Sequence, residues 1–331
     1  MPFFKRGAHE YLVCCQMFCD RSQIFAFCLK PPKEAAPIPE GTVVNATTFG
    51  PSCMQLSRHP PTLKGAEDCL LVNVYTPSTD RGPLYPVVAF LHGGGFMFGN
   101  ASQSPERVVA RGIVVVTIQY RLGVLGFLSA GDQHLPGNYG LLDQQLALKW
   151  IQRNIVEFRG DRTRVTLAGN SAGGVATTLH MASPGSRGLF HRGIPASGVF
   201  LNPWGMHCGD IEKVRVVARI VGCPVCPSSP TWAMLPCLRR ANASRLAESL
   251  LRFQGWHENP FAPFGPVVDG NFLPGDPYKL LMRGQLAKVP LLLSAVAAEG
   301  NYVVAGEISV LTKDGVKAMI ESPLSCIHCN F

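Results

Sequence analysis

The stretch Arg164-Val165-Thr166-Leu167-Ala168-Gly169-Asn170-Ser171-Ala172-Gly173-Gly174-Val175 decides how the chain is read. Arg164–Leu167 is β-rich and reads as a strand. Glycines punctuate the segment from Gly169 to Gly174, and Val175–Ala182 reads as a helix. Within the turn, Gly169-Asn170-Ser171-Ala172-Gly173 fits the pattern G-x-S-x-G. Strand, glycine-lined turn and helix together form the setting of a nucleophile elbow. Flanking glycines permit the strained turn that exposes a serine hydroxyl. The helix behind it favours negative charge developing at its N-terminus. An ordinary glycine-rich βα turn has the same outline, so the neighbouring segments must decide.

Upstream, the apolar run Pro86–Leu91 leads into His92-Gly93-Gly94-Gly95-Phe96. Three glycines let backbone N–H groups approach a substrate without Cβ obstruction, as an oxyanion hole for acyl transfer requires. A phosphate loop would need a G-K-[ST] or G-x-G-x-x-G ending, and neither is present. Two parts of one mechanism, each following its own strand, outweigh the bland reading of either. The surrounding pattern agrees. Leu70–Tyr75 and the β-branched Ile113–Ile118 read as strands. Ser104–Arg111 reads as a helix with Ser104 as N-cap and Pro105 at the first helical position. Leu141–Phe158 reads as a helix, with Leu142, Leu146 and Trp150 recurring every four residues and Leu148, Ile151, Ile155 and Phe158 extending that face. Strands alternating with helices predict an α/β fold with a mostly parallel central sheet and helices on both faces. Asp210–Phe253 reads as helical, Phe264–Leu273 as a loop and Val289–Ser294 as a further strand. Lys30–Glu40, with four prolines, reads as an extended connector. The first 30 residues read as irregular.

Composition narrows the function classes. In 331 residues, 47% are hydrophobic and 16% charged, which supplies a sizeable core and excludes a disordered chain. The net charge of +8 is scattered, with Lys5-Arg6 and Arg239-Arg240 as the adjacent basic pairs, so no nucleic-acid stripe is expected. No apolar run reaches the roughly 18–20 residues of a membrane span. Tyr11–Cys15 is followed at once by polar residues, so no signal-peptide core is recognisable. Twelve cysteines accompany glycosylation sequons at Asn45, Asn100 and Asn242. Together they favour an oxidising, secretory or extracellular environment.

Longer blocks carry a resemblance. Glu67-Asp68-Cys69-Leu70-Leu71-Val72-Asn73-Val74-Tyr75-Thr76-Pro77, Tyr120-Arg121-Leu122-Gly123, Gly126-Phe127-Leu128, Gly137-Asn138-Tyr139-Gly140-Leu141-Leu142-Asp143-Gln144 and Pro266-Val267-Val268-Asp269-Gly270 stand in order around the serine motif. The sequence resembles the type-B carboxylesterase family, which includes cholinesterases and the non-catalytic neuroligins, over roughly residues 30–305. The resemblance implies an α/β-hydrolase fold and a serine carboxylic ester hydrolase acting on a small-molecule ester through an acyl-enzyme. It implies Ser171 as nucleophile, Gly94, Gly95 and Ala172 as oxyanion donors, and Glu299 as the triad acid. It also implies disulfides Cys53–Cys69 and Cys223–Cys237. Arg121 and Asp143 read as a buried ion pair rather than as substrate contacts. No cofactor or metal is implied. Cys223-x-x-Cys226 and Cys326-x-x-Cys329 invite a zinc reading but lack sustained C-x2-C spacing.

The departures from the family matter as much. A serine hydroxyl is a poor nucleophile until a base takes its proton. The family places its histidine far beyond the acid. Here His328 alone follows Glu299, in a tail unlike the family's histidine loop. Residues 1–29 are atypical at the front, 30–305 form a partial esterase domain, and 306–331 form an atypical tail. The expectation is a chain truncated at both ends, as a splice form, fragment or partial gene model, with impaired activity. Asn170 stands where the family commonly has Glu, and no Trp lies between Cys53 and Cys69. Both observations argue against a cholinesterase. The alternative expectation is a neuroligin-like, non-catalytic adhesion or ligand-binding protein.

Overall fold

Residues 29–34, 48–57, 61–253 and 262–299, with the backbone of 13–16, are described by the computed structural model. Its strands are β1 (Val13–Gln16), β2 (Gln55–Leu56), β3 (Leu63–Lys64), β4 (Leu71–Tyr75), β5 (Tyr85–Leu91), β6 (Val114–Ile118), β7 (Gly160–Asn170) and β8 (Arg192–Ala196). Six of them form one sheet in the order β1-β4-β6-β5-β7-β8. The β6-β5-β7-β8 core is parallel, and β4 and β1 join it antiparallel. β2 and β3 form a separate hairpin.

Parallel strands need crossovers, and the helices supply them. In chain order these are α1 (Glu106–Val109), α2 (Gly123–Phe127), α3 (Tyr139–Asn154), α4 (Ala172–Ala182), α5 (Ile211–Ile220), α6 (Thr231–Leu238), α7 (Ala243–Glu248) and α8 (Pro277–Met282). Every residue of β6 is buried. Val114, Val116 and Ile118 join the main core, whereas Val115 packs with Tyr75 of β4 and Val109 of α1 in a second cluster. Side chains alternate across a strand, so both faces of the sheet are covered here. The sequence's continuous β-branched run reflects that double burial.

Several boundaries differ from expectation. The Ser104–Arg111 helix shortens to Glu106–Val109, and Pro105, not Ser104, is its N-cap, without a side-chain cap bond. The Pro105 carbonyl accepts from the N–H groups of Val108 and Val109, which moves the start one residue on. α3 begins at Tyr139 and ends at Asn154, and Ile155–Phe158 continues as a 3-10 turn. Its fully buried stripe is Leu141, Leu148 and Ile151, with Leu142, Leu146 and Trp150 half-buried beside it. β7 runs 11 residues, well beyond Arg164–Leu167. Val13–Gln16 pairs with β4, so the front of the chain is not wholly irregular.

The Val289–Ser294 strand is reduced to two isolated parallel bridges, Gly193 with Leu291 and Ala196 with Ser294. Gly193 N–H donates to Pro290 O, and Ser197 N–H donates to Ser294 O. The donor due between them is Pro195, which has no N–H, so the ladder loses its middle rung.

Disulfides and a buried ion pair tie the layers together. Cys53 is bonded to Cys69 and Cys223 to Cys237, at separations of 16 and 14 residues. Loops of that size stabilise by roughly 3 kcal/mol each in the chain-entropy picture. Arg121 and Asp143 form the expected buried pair, with Nε to Oδ2 at 2.8 Å and Nη2 to Oδ1 at 2.6 Å. The Arg121 backbone N–H also donates to Asp143 Oδ2, so the carboxylate anchors the segment that follows β6 to α3.

Candidate active site

Ser171 lies between the end of β7 and the start of α4. Its backbone has φ 55° and ψ −119°, a region a non-glycine residue occupies only under constraint. Serine at this position normally caps the helix, yet the Ser171 side chain makes no cap hydrogen bond. Neighbours hold this turn: Ser171 N–H donates to Ala196 O at 2.8 Å, and Val175 N–H to Ser171 O at 2.9 Å. A Cβ on Gly173 would stand 2.0 Å from Leu91 O, which explains the glycine of the motif. Asn170 is exposed beside the serine.

The glycine loop follows β5, the strand next to β7, so sheet register delivers it to the elbow. A Cβ on Gly93 would lie 2.7 Å from Asn170 O and 3.2 Å from Ser171 Cβ. Gly94 and Gly95 follow at φ 114° and 60°. Ala172 is the first residue of α4, so its N–H has no intrahelical partner. The structure therefore brings Ser171, Ala172 and the Gly93–Gly95 loop together.

Matches to known proteins are consistent with that arrangement. The family model described as "Carboxylesterase family" matches residues 29–321. The chain belongs to the carboxylesterase family. Venom carboxylesterase-6 of Apis mellifera is 38% identical over 296 residues, covering 86% of this chain and 52% of its own. Esterase FE4 of Myzus persicae is 41% identical over 280 residues, covering 81% and 48%. Neuroligin-2 of Mus musculus is 35% identical over 337 residues, covering 87% and 38%. The chain thus spans about half the length, or less, of the curated relatives it matches. As a carboxylesterase-family chain it has the α/β-hydrolase fold, and its mixed, mostly parallel sheet agrees with that.

Glu299 is exposed at the end of the segment that bridges to β8. The Ser197 side chain and the Val296 N–H hydrogen-bond to it and hold its carboxyl below the usual range. Ser197 follows Ala196, whose carbonyl accepts from Ser171 N–H, so Glu299 and Ser171 attach to the same corner of β8.

Histidine is the part of the constellation that does not assemble among the described residues. His92 is buried against Tyr120, with ring centroids 4.3 Å apart, and burial pushes its pKa down to about 4. Its Nδ1 hydrogen-bonds to Gly93 O. His180, inside α4, pairs with Ser186 Oγ at 2.8 Å and Gln144 Oε1 at 3.0 Å, and burial pushes it down to about 3. His207 is lowered to about 4, first by burial and then by Lys213. His134 is exposed, and His191 Nδ1 accepts from Val165 N–H. None of these five hydrogen-bonds to Ser171 Oγ. His257 and His328 lie outside the described residues, as do the tail cysteines.

The other candidate positions are also placed. Asn100 and Asn242 are exposed. Asn242 Oδ1 caps α7 by accepting from Ser244 and Arg245 N–H, and Asn100 Oδ1 accepts from Ser102 N–H. Asn45 lies outside the described residues. Cys223 is spent on its disulfide and leaves Cys226 as an exposed free thiol, which removes the zinc reading of that pair. Among the described residues no group of three or more metal-ligating side chains gathers, and no helix is long and apolar enough to cross a membrane.

Sequence reasoning missed Ser197. Its φ of 51° and its bond to Glu299 make it a hinge between the elbow and the acid. The Ser-Gly pair at 197–198 that ends the strand was the available signal.

Proposed function

We propose that this chain performs serine carboxylic ester chemistry at Ser171. The observation that carries the proposal is the strained Ser171, uncapped and packed edge to edge with the Gly93–Gly95 loop. Ser171 Oγ attacks the ester carbonyl carbon and its proton leaves to a base. The carbonyl oxygen takes the developing charge and accepts from the N–H groups of Gly94, Gly95 and Ala172. Collapse expels the alcohol, which takes a proton, and leaves an acyl-Ser171. Water then attacks the acyl carbon, releasing the acid and restoring the serine. Glu299 is the acid that would orient an imidazole and stabilise its charged form. The Cys53–Cys69 and Cys223–Cys237 disulfides and the exposed sequons at Asn100 and Asn242 support an oxidising compartment for this work.

No described histidine reaches Ser171 Oγ, so removal of its proton is the step these residues leave unassisted. Triad members act as a unit, and losing one lowers the rate by orders of magnitude. We therefore expect slow, Ser171-dependent turnover of a p-nitrophenyl ester by the purified 331-residue chain. Ser171→Ala should abolish the enzymatic part. Hydrolysis at ordinary esterase rates would sink the claim of impairment, and equal rates in the variant would sink the assignment of the serine. The lack of a described imidazole partner also favours a second reading, a non-catalytic binding protein. Retention of Ser171 in its strained turn weighs against it. Partner capture without any fluorophosphonate labelling of Ser171 would favour that second reading.

A further inference from the structure

The glycine loop has to be held still if its amides are to act, and its two ends are held by different means. At its start, Tyr120 Oη donates to His92 O at 2.7 Å, and the two rings stack. Both groups are buried within the sheet layer. At its far end the tie comes from outside the sheet. Gln55, in the β2 hairpin strand, receives Gly99 N–H on Oε1 at 2.8 Å and donates Nε2 to Gly99 O at 2.8 Å. The same Nε2 donates its other proton to Cys53 O at 2.8 Å. A carboxamide has two N–H donors, and both are used here along with the oxygen. Gln55 thus pairs with the peptide of Gly99 in both directions, as a strand neighbour would. Gly99 has φ 126°, and a Cβ there would lie 2.3 Å from His92 Nδ1. Pressure at Gly99 is therefore passed directly to the start of the loop, because Gly99 lies four and five residues after Gly95 and Gly94 but packs on His92 and Gly93.

We propose that Gln55 is a positioning residue for the Gly93–Gly95 loop, and that the Cys53–Cys69 disulfide acts on the loop through it. Cys53 is buried and bonded, and its carbonyl fixes the Gln55 amide. The disulfide then does more than restrict the unfolded chain: it sets the rotamer of the side chain that grips Gly99. Gln55 touches neither substrate nor Ser171 and acts only by fixing where the loop amides point. The proposal deepens the acyl-transfer reading and rests on it for its functional consequence, though its structural half does not.

The test uses the full chain with two readouts. Hydrogen exchange followed by mass spectrometry reads the peptide covering 92–101. Gln55→Met, close in shape but without the polar atoms, should exchange about tenfold faster there with β6 and β7 unchanged, as expected for loss of local rather than global protection. Cys53→Ala/Cys69→Ala should raise exchange in the same peptide, and combining it with Gln55→Met should add little, because both act through one contact. The second readout is fluorophosphonate labelling of Ser171 over a range of reagent concentrations. The maximal labelling rate should fall about tenfold or more in Gln55→Met, with half-saturation unchanged, because the loop serves the developing charge rather than initial binding. If Gln55→Met does not fold, Gln55→Glu substitutes for it. It keeps the acceptor for Gly99 N–H but turns an anionic oxygen on two carbonyls, so it should loosen the loop at neutral pH and recover as the carboxyl protonates. Unchanged exchange at 92–101 in the folded variants would overturn the proposal. Absence of labelling in the parent chain would count against the acyl-transfer reading alone, since exchange still reports the tie.

Discussion

Ser171 shows what a single residue gives up to sit in a strained turn. Its φ of 55° forgoes the helix cap that serine ordinarily supplies. Such backbone strain costs of order 1–3 kcal/mol and has to be offset by its surroundings. Buried histidines are the counterpart: His92 bonds to Gly93 O and His180 to Ser186 and Gln144, and neither bonds to Ser171. Burial lowers His180 to about 3 from an ordinary 6.5. An unfolded chain therefore binds a proton below about pH 6.5 that the folded chain refuses until about pH 3. The stabilisation from neutral His180 is complete above 6.5 and is lost as pH falls between those values. The slope per histidine is about 1.4 kcal/mol per pH unit. Urea unfolding at pH 7, 6, 5 and 4 should show stability falling with pH, and His180→Gln should remove one histidine's share of that slope. Parallel curves for the two proteins would contradict this account. At this scale the sequence is informative where the pattern is local: the serine motif and the glycine loop stand out in it, and the fold brings Ser171 and Gly93 side by side. Gln55 and Ser197 do not stand out, because their partners lie 44 residues and about 100 residues away, respectively, and only the fold joins them.

Elements were legible to the extent that burial is regular. β6 was read from its β-branched run because both of its faces are covered. The α3 stripe is only part of its buried face, because Gln144 and Gln145 occupy buried positions that a hydrophobic period skips. Gln144 binds His180, and Gln145 binds Ser183 and Ser186. The Val289–Ser294 element failed for a reason on the neighbouring strand, Pro195, that its own sequence does not contain. That segment leaves Leu292 64% and Leu293 63% exposed, and Val296 just after it is 62% exposed. A row of exposed apolar side chains beside a broken sheet edge favours association. Light scattering of the purified chain should show concentration-dependent self-association, reduced by Leu292→Lys with unchanged circular dichroism. An unchanged distribution of species in that variant would mean that this edge is not the contact.

For the whole molecule, the motif order predicts the architecture because each motif follows its own strand of one parallel core. β5 carries the glycine loop, β7 carries the serine, and β8 links the serine to Glu299 through Ala196 and Ser197. Adjacent parallel strands bring their C-terminal ends to one edge of the sheet, so three segments far apart in sequence arrive at one site. On the proposed function, Ser171 is the nucleophile, the glycine loop stabilises charge and Glu299 is the acid, and no described histidine bonds to Ser171 to remove its proton. An external base should then substitute for one. The decisive measurement is mass-spectrometric mapping of the fluorophosphonate adduct on the full chain, with and without added imidazole. The account predicts slow, single-site labelling at Ser171 that imidazole accelerates and Ser171→Ala abolishes. Labelling at another residue, or none at Ser171 even with imidazole present, would contradict it.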